Sequence, residues 1–371
     1  MPPQVLPFFP IELFNTHQLP LLPQKMHAVL ETISEWAPFQ IDALGLVTIF
    51  GAKEMNTCVG NLTKSWVTEW LPILGSYAVA NNEIADPEHG YILYNITDGI
   101  MATDVAAWFT RWLSSFPPNY ASTVIRLKID EKPLPVARSI FAMAIGGSAM
   151  VLSLCLAILT ADPWGIANSL AMCGQVFVRQ HMVGQLRASM DKTISDVDRD
   201  PGKDVKTFLT LPNGKAVTIV GPLGLVLGCI VTDARPLNPR YYFLARAIGW
   251  AFFATHAIAL GMSNLFNQIV TVIIMLVGTY LTATRVGDNS EMIGSGLRLE
   301  VEMGDSGWTR SQAYANIGMT PEEEDKMVHW SLMPQKSNTR WWKRYNAREF
   351  TMSPRSTVIS LERQFEEEGP R

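Results

Sequence analysis

From Ala247 to Thr284 the chain runs for 38 residues without a Lys, Arg, Asp or Glu. No other feature constrains the fold as strongly. A spanning helix needs about 20 apolar residues, because roughly 30 Å of hydrocarbon is crossed at about 1.5 Å per residue. The stretch therefore holds two spans if it turns in the middle, and the polar run Gly261-Met-Ser-Asn-Leu-Phe-Asn-Gln268 marks the turn. Ser263 or Asn264 can cap the second helix. The pattern predicts helices near 241–261 and 265–284.

A second uncharged stretch, Ser139 to Ala161, is 23 residues long and fits one span. Asp162-Pro163-Trp164-Gly165 then breaks the helix and starts another, since Pro suits a first helical turn. Ile166 to Val178 is apolar, and Arg179 and His181 end it. The competing reading of 163–181 is a buried helix in a soluble core. Ala216 to Thr232 is different. Asn213-Gly214 between two β-branched runs predicts a hairpin over 207–220. What remains, around Gly221-Pro222 to Thr232, is too short to span and suits a re-entrant or core segment.

The composition agrees with a membrane protein. Only 17% of residues are charged, against 48% hydrophobic; an average soluble protein has about 25% charged. A net charge of −4 excludes a broad nucleic-acid-binding surface, and four cysteines exclude a disulfide scaffold. Basic residues set the orientation. Arg179, Arg187, Lys192, Arg199, Lys203, Lys206 and Lys215 fall in one connection, and twelve Lys or Arg follow from Arg285 onward. The turns at 162–163 and 262–264 carry none. Four spans put every basic stretch on one side, with the tail in the cytosol. The triplets Asn61-Leu-Thr63 and Asn95-Ile-Thr97 are N-glycosylation sequons and pull the other way, because they have meaning only in a lumenal region. A further span near 65–80 or 41–52 is weakened by Glu69 in the first case and by length in the second. The side of the N-terminal region stays open.

Outside the spans, Met1 to Pro23 is Pro-rich and lacks the basic start of a signal peptide. Helical periodicity covers His27–Trp36 and Asp104–Leu113. In the tail, Thr320-Pro321-Glu322-Glu323 reads as a capped helix start. Arg340-Trp-Trp-Lys-Arg-Tyr345 mixes aromatic and basic residues, which suits either anionic headgroups or a small packed helix. Ser353-Pro354 and the closing Glu366–Glu368 run read as disordered. The segments are thus 1–137, a partly globular N-terminal region; 138–284, the transmembrane region with a polar loop and hairpin at 183–240; and 285–371, the cytosolic tail. The expected fold is an all-α membrane bundle of about four transmembrane helices, with five or six as alternative counts. It carries a small β-hairpin and mixed soluble ends.

Several runs carry a family resemblance: Thr160-Ala-Asp162-Pro-Trp164-Gly-Ile-Ala-Asn168, Leu209-Thr-Leu-Pro-Asn-Gly-Lys215, Asn264-Leu-Phe-Asn267-Gln, Trp330-Ser-Leu-Met-Pro and Asn338-Thr-Arg-Trp-Trp342. Over roughly 138–346 the chain resembles an uncharacterised family of fungal polytopic membrane proteins. The resemblance implies a fungal source and a multi-pass topology, and supplies no activity and no catalytic residues.

Chemistry has few candidates. There is no P-loop, no Gly-x-Ser-x-Gly elbow, no His-Glu-x-x-His and no Cys-x-x-Cys. No cofactor and no metal are expected; Cys155, Cys173 and Cys229 read as small apolar residues. The candidate catalytic residues are His256, an ionisable group in mid-helix, Asp233 in Asp233-Ala-Arg235, and Asp162. Against each stands a plain role: an interhelical hydrogen bond for His256, an interface ion pair for Asp233, a helix cap for Asp162. Ala142-x-x-x-Gly146, Ala245-x-x-x-Gly249 and Ala257-x-x-x-Gly261 suggest close helix contacts.

Two functions follow as expectations. One is a non-enzymatic scaffold, accessory protein or sensor whose partners are the lipid bilayer and proteins met through the cytosolic tail, with no nucleic acid. The alternative is a membrane-embedded enzyme on a lipophilic substrate, such as a cyclase of fungal secondary metabolism. A self-contained transporter is disfavoured by the lack of an internal repeat. The location is an integral membrane one, in the plasma membrane or the endoplasmic reticulum.

Overall fold

The computed structural model describes residues 52–304 and 310–346, apart from 117, 120 and 131–135, together with a few residues between 29 and 36. The Pro-rich start, the alternative span at 41–52 and the acidic end lie outside the described residues.

Two helical hairpins dominate the middle of the chain. In the first, α3 (Val136–Leu159) is followed by α4 (Pro163–Arg199). Ala161, at φ +49°, reverses the chain. The Asp162 carboxylate accepts the Trp164 N–H at 3.1 Å and Pro163 opens the new helix, so the predicted break is a capped turn. In the second hairpin α5 (Pro239–Met262) leads to α6 (Leu265–Ala283). Asn238 and Asn264 cap these two helices through their side chains. α3, α5 and α6 are long and apolar enough to cross a membrane. Only 28–33% of their most apolar windows is buried within the chain. Phe141, Leu152, Phe243, Ile258, Ile273 and Val277 point outward. Apolar surface of that extent on a folded chain needs a covering.

α4 has 37 residues, about 55 Å of continuous helix. Its first half packs among the other three helices, where Met172 and Val176 meet Met150, Leu260 and Met275. Its second half lies on a β-sheet, where Met182, Leu186, Met190 and Ile194 join the main core.

That sheet has eight strands in the order β1-β7-β8-β4-β6-β5-β2-β3. They are β1 (Thr63–Ser65), β2 (Ile92–Asn95), β3 (Ile100–Ala102), β4 (Thr123–Ile129), β5 (Asp204–Thr210), β6 (Ala216–Pro222), β7 (Asp288–Ile293) and β8 (Leu297–Met303). Among the described residues, only β4 and β6 pair in parallel. The helical hairpins are insertions in this sheet: α3–α4 leaves after β4 and returns at β5, and α5–α6 lies between β6 and β7. The Asn213-Gly214 turn forms the expected hairpin, with Leu209 opposite Val217. Side chains alternate across it as the pleat requires. Val205, Leu209, Val217 and Ile219 face α4; Phe208 and Ala216 face the opposite layer.

On the α4 side, the sheet also receives α1 (Ala52–Gly60) with Met55, and α2 (Ala107–Ser115) with Trp108, Phe109 and Trp112. The segment after β6 is non-spanning: a helical turn and a π-turn over 223–231 bury Val226, Cys229 and Ile230 in the same core. Burial pushes the Cys229 thiol up to about 12, so it is an inert packing group. The far face carries α7 (Arg310–Ile317), α8 (Pro321–His329) and α9 (Thr339–Asn346). Tyr314 meets Phe208 edge-on at 5.4 Å. Thr320 and Glu323 form the capping box the sequence predicted. Trp342 and Tyr345 of the aromatic-basic run pack inward.

The expected all-α membrane bundle is therefore incorrect. The chain is a mixed α/β protein with helices on both faces of an eight-stranded sheet, and among the described residues three helices, not about four, five or six, qualify as spans by length and composition. The fourth expected span, 163–181, is the start of α4, where Asn168, Ser169, Gln175 and Arg179 are buried. These polar groups lower its hydropathy because it is the interior helix of the group. The hairpin was legible, but its integration into a large sheet was not.

Trp112 tests this core. It is 1% exposed, stacks on Phe116 and donates its Nε1–H to the Ser290 carbonyl at 2.8 Å. Trp112→Ala should cost about 3–5 kcal/mol, read as a lower denaturant midpoint in detergent.

Candidate functional site

The chain between β1 and α2 does something unusual for a polar-backbone segment. Residues 66–82 leave the sheet, enter the space between the four long helices and return. Pro72, Ile73 and Ser76 sit beside Met172, Gln175 and Val176 of α4. The backbone comes so close that a Cβ at Gly146 would collide with the Trp70 carbonyl, and one at Gly278 with the Pro72 carbonyl. The small residue of the Ala142-x-x-x-Gly146 motif thus receives this loop. The segment near 65–80, a candidate span in the sequence, enters and doubles back.

A non-helical backbone among apolar helices needs hydrogen-bond partners. α4, α5 and α6 all supply them. Arg179 Nη2 donates to the carbonyls of Glu69 at 2.7 Å and Leu71 at 2.9 Å. Gln180 Nε2 also donates to the Glu69 carbonyl, and Ser76 Oγ meets Gln175 Oε1. Thr279 of α6 accepts the Leu74 N–H at 2.9 Å. On the return leg, Arg246 of α5 donates to the Ala80 and Asn81 carbonyls, both at 3.1 Å.

Two helical turns beyond Arg179, Arg187 completes the arrangement. Its Nε donates to the Leu62 carbonyl at 3.0 Å and Nη2 to the Thr63 carbonyl. Nη1 pairs with the Glu69 carboxylate, with both side chains 10–15% exposed. Burial pushes the Glu69 carboxyl up, but the Arg187 guanidinium outweighs it and holds the group below the usual carboxylate range. A 40 Å³ void beside the pair, large enough for a water or two, is lined by Thr63, Arg285 and Asp288.

A much larger groove, about 800 Å³, opens between this clamp, the start of α3 and the middle of α4. That size is typical of ligand pockets. One wall is apolar: Trp70 meets Phe177 at 5.7 Å, Trp66 meets Phe141 at 5.6 Å, and Val136 and Ala142 lie alongside. The other is polar, with Lys64, Arg138, His181, Arg187 and Asp191. Burial lowers the Lys64 pKa, with Arg187 adding to the effect. The groove can hold a molecule with an apolar body and an anionic end.

None of the candidate catalytic residues lies in it. Asp162 joins the two hairpin turns at the opposite end of the helices: Oδ2 accepts the Asn264 N–H and the Asn267 Nδ2–H, each at 2.9 Å. Asp233 is half-buried at the start of α2. Ala106 offers no capping side chain to α2, and Asp233 Oδ1 takes its place by accepting the Ala107 N–H at 2.6 Å. His256 is fully buried in α5 beside the Asn168 backbone, with neither ring nitrogen in hydrogen-bonding geometry. The three do not converge. Asn61 and Asn95, the sequon residues, are 1% and 3% exposed. Asn61 Oδ1 accepts from Thr63, and Asn95 bonds to Asp98 through both ends of its amide. Among the described residues, no group of three His, Cys, Asp or Glu side chains could hold a metal.

Sequence reasoning missed Glu69, Arg179 and Arg187 as a unit. Arg179 and Arg187 stand eight residues apart on one face of a helix leaving an apolar run, which is a readable signal. The partner carbonyls, more than a hundred residues earlier, are not. No protein-family model, no curated protein and no solved structure matches this chain.

The clamp makes stability pH-dependent with a defined sign. Because the folded Glu69 pKa is depressed, its contribution is complete above the unfolded value of about 4.3 and is lost as pH falls through the lower folded value. The thermal midpoint of wild type should exceed that of Glu69→Gln by a constant margin from pH 7 to about 5, and the gap should close below about pH 4. At neutral pH the substitution should cost about 3 kcal/mol, the low end for breaking a buried pair, because Gln keeps an acceptor.

Proposed function

We propose that this chain is a polytopic membrane protein that holds a folded α/β domain rigidly on the cytosolic face of a bilayer, and that it works as a scaffold, accessory protein or sensor without catalysis. α3, α5 and α6 face the lipid, and α4 returns through their centre. The observation that carries the reading is the unbroken α4, whose first half is core to the helices and whose second half is core to the sheet. A helix fixed at both ends transmits any tilt or shift in the bilayer to the domain.

Basic residues support the orientation. Arg138, Arg240, Arg246 and Arg285 stand at the sheet end of the helices, and the two turns at the other end have no Lys or Arg. The N-terminal strands share one sheet with the tail strands, since Thr63 pairs with Ile293. Both regions therefore lie on one side, the cytosolic one. The dispersal of Asp162, Asp233 and His256 speaks against the enzyme reading, because proton transfer needs its groups within reach of one reacting atom.

Two measurements test this. Glycosidase treatment of microsomes should leave the mobility of the full chain unchanged, and Asn61→Gln or Asn95→Gln should not alter it either; a shift would place the sheet in the lumen. Membranes carrying wild type, Asp162→Asn, Asp233→Asn or His256→Phe at matched abundance should have the same lipophilic compounds by mass spectrometry. A product that disappears with any one of these side chains, while the fold is retained, would establish the enzyme instead.

A further inference from the structure

We infer that the groove between α3 and α4 holds one anionic phospholipid, its phosphate against Lys64, Arg138 and His181 and its acyl chains over Trp70, Phe177 and Ala142. The inference rests on the reading that α3, α5 and α6 face lipid, and adds a specific ligand to it.

Charge decides the headgroup. The groove has two carboxylates, and both are engaged: Glu69 with Arg187, and Asp191 as acceptor of the Ser295 N–H at 2.7 Å. Lys64 and Arg138 have no ion-pair partner among the described residues, nor has His181. Lys64, Arg138 and Arg187 outnumber the two carboxylates, Glu69 and Asp191, by one, and Arg187 is the partner of Glu69. An oxyanion bearing several acceptors meets unpaired donors there. Shape decides the rest. The cations lie at the sheet end of α3, the level of headgroups if α3 spans, and the aromatic wall begins one turn further along, at the level of acyl chains. The cytosolic leaflet is the one that carries anionic lipid. A soluble anion would fill the polar end and leave Trp70 and Phe177 uncovered.

The test uses the full chain in nanodiscs of phosphatidylcholine with or without phosphatidylglycerol, then counts lipid retained on detergent extraction by native mass spectrometry. Wild type should retain phosphatidylglycerol in preference to phosphatidylcholine. Arg138→Gln should weaken that retention about fivefold and the added Lys64→Gln by a similar factor. Arg240→Gln, exposed at the same end but outside the groove, should leave it unchanged. Gly184→Leu separates site from charge. Gly184 lines the groove, and a Cβ there meets nothing within 4 Å, so the side chain fits the fold, fills the groove and keeps every cation. It should abolish the preference. Equal retention of the two lipids by wild type, an unchanged preference in Gly184→Leu, an equal loss in Arg240→Gln, or release of the lipid by excess inorganic phosphate would each overturn the inference. In all these cases a chain that resists alkaline carbonate extraction leaves the membrane reading intact. A chain released by carbonate overturns both.

Discussion

An exposed peptide group cannot be left among apolar helices without a partner, and the whole arrangement of this protein answers that constraint. Residues 66–82 hold one short helical turn, Tyr77–Ala80, and are otherwise irregular backbone placed where only helices would satisfy themselves. Arg179 and Gln180 from α4, Thr279 from α6 and Arg246 from α5 provide the missing donors and acceptors. Guanidinium groups suit the task because one side chain carries five donors in a fixed fork. The same contacts fix the loop to three helices at once. They join the helices to the sheet edge, because the loop begins at β1. Arg187 then has a carboxylate to pair with, so a charge that would be costly to bury alone is compensated.

The sheet shows how a polytopic chain can keep one compact domain. β4 and β6 lie side by side in parallel although a complete helical hairpin and β5 intervene, and β7–β8 comes back to β4 after the second hairpin. Each excursion therefore starts and ends on the same sheet, the first with β6 between its two ends and the second with β4 and β8 between them. This closes both hairpins at that end. At the other end Asp162, with Asn264 and Asn267, ties the two turns together. Between these ties the helices hold buried polar groups: Ser153 with Ser169 at 2.8 Å, Asn168 with Thr271 at 3.0 Å, and the unpartnered ring of His256. Such pairs fix which faces meet where lipid offers no hydrophobic preference between helices.

The polar residues that look catalytic in the sequence have architectural roles. Asp162 caps one helix and latches a second; Asp233 supplies the cap that α2 lacks. Two of the groups that do line an open groove, Lys64 and Arg138, lie in stretches with no motif. Function in this protein is more easily located from where charge is left uncompensated than from which residues are chemically versatile.

What the chain determines locally is where the four long helices and the capped tail helix begin, and one hairpin; that α4 runs on through the expected polar loop to Arg199 is not visible there. Two uncharged stretches, Pro after Asp162, Asn264 before α6, Thr320-Pro321 with Glu323, and Asn213-Gly214 each act within a few residues, so their physics is complete in a short window. Tertiary structure decided everything that needs partners far apart. Thr63 finds Ile293, β4 finds β6 and β8, and Glu69 finds Arg187 across 118 residues. A strand's alternation says which face is buried but not which strand lies beside it, and a buried arginine does not announce its carbonyls. For the same reason 163–181 reads as a span in sequence. Its apolar residues are visible, while the surrounding helices that allow Asn168, Gln175 and Arg179 to be buried in it exist only once the chain has folded.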